Sequence, residues 1–276
     1  MRCRNVNLKK FKLSSNGQKL IHLYEAMANE GYNRTDGVFV ETAFSDFELK
    51  KFRKLILLYF TEHEIKSVLD YGGGGSDWGK EGFDQESNKS AIDFFFLDKV
   101  ATYEPARNID QRQKLDCVIC MDVLEHVFVV DVPTVLRDIC SYADNSVVLN
   151  IGCYEASATL PNGENAHITI RDPLWWKGML DSISIEFPKL NILLLCAPTY
   201  QTCKMFQCWK ADDWENSTTF RIDLPEVIHL AGPEKVDRPV TLTKEQMFNL
   251  ILSSIEETPE MRIEYLEVIG RSLNKN

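Results

Sequence analysis

The sequence predicts an α/β protein built on a mostly parallel sheet. Parallel strands are buried on both faces and need long crossovers, so continuous apolar runs separated by helical stretches indicate such a sheet. The length of 276 residues and the hydrophobic content of 44% suffice for one sizeable α/β domain with terminal additions. Four apolar runs have the length and composition of buried strands, at residues 67–71, 101–104, 116–121 and 146–151.

Residues 1–62 are predicted to form an N-terminal helical cap. Apolar residues recur at helical spacing over residues 18–30 and 47–60, and a polar, glycine-containing link at 31–37 separates these segments. We therefore expect helices and no strand in this region. The candidates for closing over a ligand are Tyr24, Arg34 and Phe39.

Residues 63–211 are predicted to form the core that holds the sheet. Its crossovers are expected to be helical where apolar residues recur every three or four positions, and its last two strands should form an antiparallel hairpin. These helices and strands are predicted at residues 132–142, 174–183, 191–197 and 205–209.

Residues 212–276 are more polar and are predicted to form a C-terminal helical extension. Its two helices are expected at residues 243–255 and 259–273, the first with Thr243 and Gln246 in a capping box. Three roles stay open for this extension: it covers the sheet, mediates formation of a homo-oligomer or contacts a carrier protein.

Composition excludes several partners. The net charge of -10 argues against a long nucleic acid, whose binding depends mainly on attraction between phosphates and basic residues. The apolar runs are far shorter than the roughly 20 residues that span a bilayer. Eight scattered cysteines, several within strand-like runs, predict reduced thiols and a cytoplasmic protein.

A glycine-rich loop follows the first predicted strand. Asp70 and Tyr71 precede four glycines, and glycine lets main-chain N–H groups approach a ligand because it has no Cβ. The loop lacks the Gly-Lys-Ser/Thr of a phosphate-binding loop. Ser76 and Asp77 stand where a nicotinamide fingerprint continues toward its helix, and Asp77 would repel a pyrophosphate. A ligand with a ribose but no phosphate is expected.

The next two strands also end in polar residues. Glu104 ends the second strand, where a carboxylate is the usual partner of a ribose diol. Met121 and Asp122 end the third strand. Because ligands bind at the carboxyl ends of parallel strands, these residues should converge on the glycine loop.

Three segments resemble the successive motifs of class I S-adenosylmethionine-dependent methyltransferases, in order and spacing over residues 63–210. They are Val68-Leu-Asp-Tyr-Gly-Gly-Gly-Gly, Tyr103-Glu-Pro-Ala and Asp116-Cys-Val-Ile-Cys-Met-Asp-Val-Leu-Glu-His-Val127. A further segment, Leu160-Pro-Asn-Gly-Glu-Asn-Ala-His167 followed by Trp175-Trp176, is similar to a bacterial and phage subgroup often found with surface-polysaccharide genes. The resemblance implies a Rossmann-like, doubly wound sheet of seven mostly parallel strands.

The resemblance also implies S-adenosyl-L-methionine as the cofactor. The residues that would bind it are Asp70, Gly72, Gly73, Gly74, Glu104, Met121 and Asp122. The first four would contact its methionine part and ribose, Glu104 the ribose hydroxyls, and the last two the adenine or methionine end. Ser76 stands where the family usually has a third glycine, and its side chain would narrow the pocket.

A second polar group follows the third and fourth strands. If a helical turn begins at Asp122, then Asp122, Glu125 and His126 share one face, and His167 lies in a polar segment expected to cover the site. Three interpretations stay open. In the first, Glu125 and His126 anchor the loop by hydrogen bonds. In the second, His126 or His167 acts as a general base, with Glu125 orienting His126. In the third, all four residues bind a divalent cation such as Mg²⁺.

The expected activity is O-methylation of a hydroxyl on a sugar, glycan or other polar small molecule, in a setting such as polysaccharide biosynthesis. The polar residues 162–167 favour a sugar over a flat aromatic acceptor. The alternatives are a non-catalytic protein that binds S-adenosylmethionine or mediates assembly, and a nucleotide-sugar or nicotinamide enzyme on a similar sheet.

Overall fold

The computed structural model describes residues 12–41, 46–208 and 226–229. In these residues the α-helices are α1 Ser15–Glu30, α2 Phe47–Glu62, α3 Ala91–Phe95, α4 Val132–Ser141 and α5 Pro173–Ser184. The strands are β1 Tyr32–Arg34, β2 Phe39–Val40, β3 Ser67–Tyr71, β4 Lys99–Glu104, β5 Ile109–Asp110, β6 Leu115–Met121, β7 Ala143–Gly152, β8 Ala158–Thr159, β9 Asn191–Thr199, β10 Thr202–Cys208 and β11 Glu226–His229. Two 3-10 turns occupy Pro105–Arg107 and Leu124–His126.

The main sheet has the strand order β11-β10-β9-β7-β6-β3-β4-β5. Its centre, from β9 to β4, pairs in parallel. The hairpin strand β10 is antiparallel to both β9 and β11, and the two-residue strand β5 adds an antiparallel edge beside β4. The prediction of an α/β protein with a mostly parallel sheet is confirmed, with seven strands of four or more residues and β5 as a short addition.

Both faces of the central strands are buried. Val68 and Leu69 are neighbours in β3 and point to opposite faces, yet both are fully buried. On the face that includes Leu69, α4 and α5 pack against the sheet through apolar residues at helical spacing. The main contributors from these two helices are Val132, Val135, Leu136, Ile139, Trp176, Leu180 and Ile183.

The two predicted cap helices are present, but the link between them is not free of strands. Strand β1 lies within residues 31–37 and pairs with β2, which follows it, around a turn at Gly37. The φ of Gly37 is +83°, a value that favours glycine. The other edge of β1 pairs with β8, which gives a three-stranded antiparallel sheet in the order β2-β1-β8. The expectation of no strand here is therefore wrong, because strands this short depend on a distant partner for pairing.

The predictions for residues 243–255 and 259–273, with the Thr243 and Gln246 capping box, lie outside the described residues. Within the described part of the chain, no helix combines the length and apolar character that crossing a bilayer requires. The six cysteines whose side chains the structure describes are free thiols, and five of them are buried, at Cys117, Cys120, Cys140, Cys196 and Cys203.

Candidate functional site

A cavity of about 760 Å³ lies at the carboxyl ends of β3, β4 and β6. The register of β3 with β4, in which Tyr71 is opposite Tyr103, brings the glycine loop beside Glu104. All seven residues predicted to bind the cofactor line this cavity, and Ser76, the candidate bases His126 and His167, and the cap residues Tyr24 and Arg34 line it too. Glu125 does not line it.

The glycines at the start of the loop are needed by the protein's own packing. Gly72 has a φ of +81°, and its N–H donates to the Tyr103 carbonyl at 2.7 Å. A Cβ on Gly72 would collide with Val123 Cγ2, and a Cβ on Gly73 would collide with Asp70 Oδ2. The glycine loop therefore has a structural role besides any approach to a ligand.

The loop differs from a pyrophosphate site. The helix that follows it, α3, begins only at Ala91 and has five residues, so no helix N-terminus lies directly after the glycines. The charge argument based on Asp77 is not supported, because this side chain is exposed, accepts from Gly79 N–H at 3.0 Å and does not line the cavity. The missing helix, and not Asp77, is what argues against a dinucleotide.

Two buried carboxyl groups flank the loop. Asp70 accepts a hydrogen bond from Trp78 Nε1 at 2.7 Å, and burial raises the pKa of Asp70 to about 7 although this bond opposes the shift. Glu104 accepts from Gly74 N–H at 2.8 Å and from Ala106 N–H at 2.9 Å, and burial raises its pKa against these two bonds. Each Glu104 oxygen keeps a second lone pair, which is available to a ligand hydroxyl.

The residues after β6 do not form the predicted helical face. Asp122 has a left-handed backbone with φ of +59°, and the 3-10 turn Leu124–His126 follows it. Glu125 is fully buried and accepts from the Gly152 N–H of β7. The prediction that Glu125 faces the cleft with Asp122 and His126 is therefore wrong, since this backbone directs Glu125 toward the sheet.

Burial, together with the neighbouring Asp122 carboxylate, raises the pKa of Glu125 well above its usual range. Glu125 Oε2 is a buried atom with no hydrogen-bond partner among the described residues. Glu125 therefore lies behind the cavity wall, bonded to β7 through its other oxygen.

Two histidines line the cavity, and in each ring a backbone carbonyl contacts the Nδ1 atom. His126 Nδ1 lies 3.0 Å from the Ala166 carbonyl and 2.9 Å from the Tyr24 hydroxyl, and His167 Nδ1 lies 2.6 Å from the Tyr154 carbonyl. A carbonyl only accepts, so both Nδ1 atoms carry a proton, and Nε2 is the atom that holds the lone pair in the neutral form of each ring. Burial, and secondly His167, lower the pKa of His126 to about 4, so His126 is neutral at physiological pH.

Asp122, His126 and His167 form one compact cluster. The two imidazole rings are 4.8 Å apart and nearly perpendicular, and His167 Nε2 lies 3.9 Å from Asp122 Oδ1. One donor atom from each of the three residues lies within 4.8 Å of the others. The structure thus brings together three of the four predicted metal ligands and excludes Glu125 from the set.

The loop that carries His167 is held by Asn165. Asn165 Oδ1 accepts from the N–H groups of Ala156 and His167, both at 3.0 Å, and its amide donates to the Ala156 carbonyl at 2.8 Å. Glu164 and Asn165 are the predicted candidates for binding the hydroxyls of a polar substrate, and neither lines the cavity. Glu164 is exposed and accepts from the Asn162 amide. Asn165 is therefore a positioning residue, whereas Asn162 and Glu164 lie on the outer surface of the loop.

Helix α1 lines the cavity and is fixed at its N-terminus and near its middle. The Asp131 carboxylate accepts from Ser14 N–H at 2.8 Å and from Ser14 Oγ at 2.7 Å, and the Tyr24 hydroxyl donates to the Ala166 carbonyl at 2.7 Å. Tyr24 and Arg34 line the cavity as predicted for residues of the cap, whereas Phe39 is 54% exposed and lies outside it.

Sequence reasoning missed a buried ion pair in the cavity wall. Glu48 of α2 lines the cavity and accepts from Lys51 Nζ at 3.0 and 3.1 Å. Burial raises the pKa of Glu48, and the charge of Lys51 opposes this shift. The signal was present in the sequence, because Glu48 lies at helical spacing from the buried residues Phe52, Leu55 and Tyr59 and so interrupts an apolar stripe.

The fold and the site define an α/β protein with a ligand-sized cavity at the carboxyl ends of a mostly parallel sheet. Comparison of the chain with family models, with curated proteins and with solved structures finds no match.

Proposed function

We propose that the protein is an S-adenosylmethionine-dependent methyltransferase that methylates a hydroxyl of a sugar, glycan or other polar small molecule. In this proposal the sheet is of the Rossmann-like, doubly wound type. The observation that carries it is the convergence of the glycine loop, Glu104 and the Asp122–His126–His167 cluster on one cavity. The glycine loop and Glu104 suit a ligand with a ribose, and the Asp122–His126–His167 cluster suits a reacting hydroxyl.

The cavity fits the cofactor in size and in polar groups. Its volume of about 760 Å³ lies within the usual range for small-molecule sites, roughly 300–1,000 Å³. Glu104 would accept from the ribose hydroxyls, and Asp70 and the glycine loop would face the methionine part. The absence of a helix directly after the glycines favours a ligand without a pyrophosphate over a dinucleotide.

The second part of the cavity suits a polar acceptor. When bound, the cofactor supplies an electrophilic methyl group, so the protein has to orient the acceptor hydroxyl, exclude water and assist the loss of its proton. The imidazole nitrogens and the carboxyl oxygens of the cluster are the proton acceptors for this last task. Arg34, Glu48 and Tyr154 also line the cavity and offer hydrogen-bonding partners to the remaining hydroxyls of a sugar.

Calorimetry with S-adenosylmethionine tests the cofactor. The unmodified chain should bind it, and Glu104→Gln should weaken binding at least about 10-fold, because a charged acceptor of the ribose hydroxyls is lost. Glu86→Gln is the matched control, since Glu86 is an exposed carboxylate outside the cavity. No binding by the unmodified chain, or tighter binding of a nicotinamide dinucleotide, would contradict the proposal.

Transfer of a labelled methyl group to a panel of sugars and nucleotide sugars tests catalysis. Product should form with the unmodified chain and be lost in His126→Ala and His167→Ala, while His22→Ala, which changes an exposed histidine, should retain activity. Cofactor binding without transfer to any member of a broad acceptor panel would favour the non-catalytic alternative.

A further inference from the structure

The cluster at the cavity has the donor set of a metal centre. We propose that Asp122, His126 and His167 bind one divalent first-row transition-metal ion, of the Mn²⁺ to Zn²⁺ series, through one carboxylate oxygen and the two Nε2 atoms. This site goes beyond the proposed methyl transfer, and metal binding can be measured without cofactor or acceptor.

The histidines are already arranged as metal ligands. A metal-bound histidine almost always donates its other ring N–H to a carboxylate, a carbonyl or water, which fixes the tautomer and the ring orientation. Both histidines do so here, His126 toward the Ala166 carbonyl and His167 toward the Tyr154 carbonyl. Because Nδ1 of each ring is bonded to a different backbone carbonyl, Nε2 is the atom of each ring that is left to bind a metal beside the Asp122 carboxylate.

The spacing of the donors suits an ion after a small adjustment. Bonds of about 2.0–2.2 Å place adjacent ligand atoms roughly 3 Å apart and opposite ones roughly 4.3 Å apart. One possible donor atom from each of the three residues lies within 4.8 Å of the others, and Asp122 Oδ1 lies 3.9 Å from His167 Nε2. Asp122 is 41% exposed at its side chain, so it has room to move toward the two rings.

The donor types select the class of metal. Mg²⁺ prefers an octahedral shell of oxygen atoms and keeps several waters, whereas imidazole nitrogen suits transition metals. Two of the three donors here are imidazoles, so the expectation of Mg²⁺ is replaced by a transition metal. Three protein ligands leave coordination positions open, and all three residues line the cavity, so oxygen atoms of an acceptor have access to the ion.

Glu125 stays outside this donor set. Its carboxyl group is fully buried, bonds to Gly152 N–H and does not line the cavity. Glu125 is therefore the matched control for the three ligands, a buried neighbour of His126 whose carboxyl group does not reach the cavity. A glutamine at this position would keep the bond from Gly152 through its amide oxygen.

Titration of the chelator-treated full chain with Co²⁺, followed by visible absorption and calorimetry, tests the site. The expected result is one ion per chain with absorption bands typical of nitrogen and oxygen ligands. Asp122→Ala, His126→Ala and His167→Ala should each weaken binding by at least about 100-fold, because loss of an outer partner alone costs roughly 10–100-fold. His22→Ala should bind like the unmodified chain, and Glu125→Gln should lose less than about 10-fold.

Thermal unfolding separates lost ligands from lost structure. Co²⁺ or Zn²⁺ should raise the Tm of the unmodified chain and of Glu125→Gln but not of the three ligand variants, and His167→Gln serves if His167→Ala does not fold. No bound ion in the unmodified chain, displacement of Co²⁺ by excess Mg²⁺, or equal losses in Glu125→Gln and His126→Ala would overturn the proposal. None of these results depends on S-adenosylmethionine binding, so the metal site and the methyltransferase proposal fail separately.

Discussion

The carboxyl group of Asp70 holds its proton more tightly in the folded chain than in the unfolded one. Burial raises the pKa to about 7, against an unfolded value of about 3.9. The native state then carries an extra proton between these pH values, so the stability linked to Asp70 is fully present below pH of about 4 and is lost as the pH rises through about 7.

We expect Asp70→Asn to remove this dependence. The amide stays neutral, and its oxygen still accepts from Trp78 Nε1. The free energy of unfolding, measured with urea at a series of pH values, should fall less steeply toward pH 7 in the variant, by about 1.4 kcal/mol per pH unit. Parallel curves for the variant and the unmodified chain would exclude a titrating Asp70.

At the level of single residues, the sequence predicted which strand-end residues meet at the cavity, and it predicted the cluster in part. Asp70, Glu104 and Asp122 end neighbouring parallel strands, and strand order alone brings such residues together. Glu125 was misplaced because its direction depends on the left-handed backbone of Asp122, which no spacing pattern encodes. Asn165 was placed in the right loop, but its role depends on long-range bonds to Ala156.

At the level of elements, a buried ion pair ties the segment after the glycine loop to α2. Arg53 Nε donates to Asp84 Oδ1 at 3.0 Å, and both side chains are at most 5% exposed. Asp84→Ala would leave the Arg53 charge buried and should cost about 3–5 kcal/mol of unfolding free energy. The neighbouring pair of Lys54 and Glu86 is exposed, so Glu86→Ala should cost at most about 1 kcal/mol. Equal losses in urea unfolding would contradict this ranking.

The attachment of α1 has a test in two helical glycines. A Cβ on Gly17 would collide with Asp131 Oδ2, the atom that accepts from Ser14 Oγ, whereas a Cβ on Gly178 of α5 meets nothing within 4 Å. Gly178→Ala should therefore stabilise the protein by up to about 1 kcal/mol through helix propensity. Gly17→Ala should destabilise it by about 1–2 kcal/mol, since crowding exceeds that gain.

Hydrogen exchange identifies where the Gly17 substitution acts. Amides of α1 should lose protection in Gly17→Ala while those of β6 and β7 keep theirs, because the collision affects only the contact between the cap and Asp131. A uniform loss across the sheet would indicate that α1 is not a separate unit.

The central elements were predictable because their signals are local. The bounds of β3 were predicted as observed, because a strand that is buried on both faces is continuously apolar. The bounds of α4 were predicted to within one residue, because a helix that is buried along one stripe repeats its apolar residues every three or four positions. Strands β1, β2 and β8 have two or three residues each, and the pairing of β1 with β8 joins segments more than 100 residues apart. No local window of sequence contains that second pairing.

At the scale of the whole molecule, the net charge of -10 governs association with other polymers. We expect no binding of a short labelled single-stranded RNA at physiological salt, because counterion release from phosphates requires clustered basic side chains. Fluorescence anisotropy measures this directly, with a basic RNA-binding protein as the positive control. Saturable binding that weakens with added salt would contradict the exclusion of nucleic acid.

The left-handed backbone of Asp122 restricts which amino acids suit that position. Glycine, asparagine and aspartate tolerate this conformation best, and only the last of them carries a charge. A glutamate would bring the same functional group at a conformational cost, and an asparagine would bring the right conformation without the anion. The left-handed backbone and the need for an anionic side chain restrict position 122 by two independent criteria, and aspartate is the amino acid that meets both.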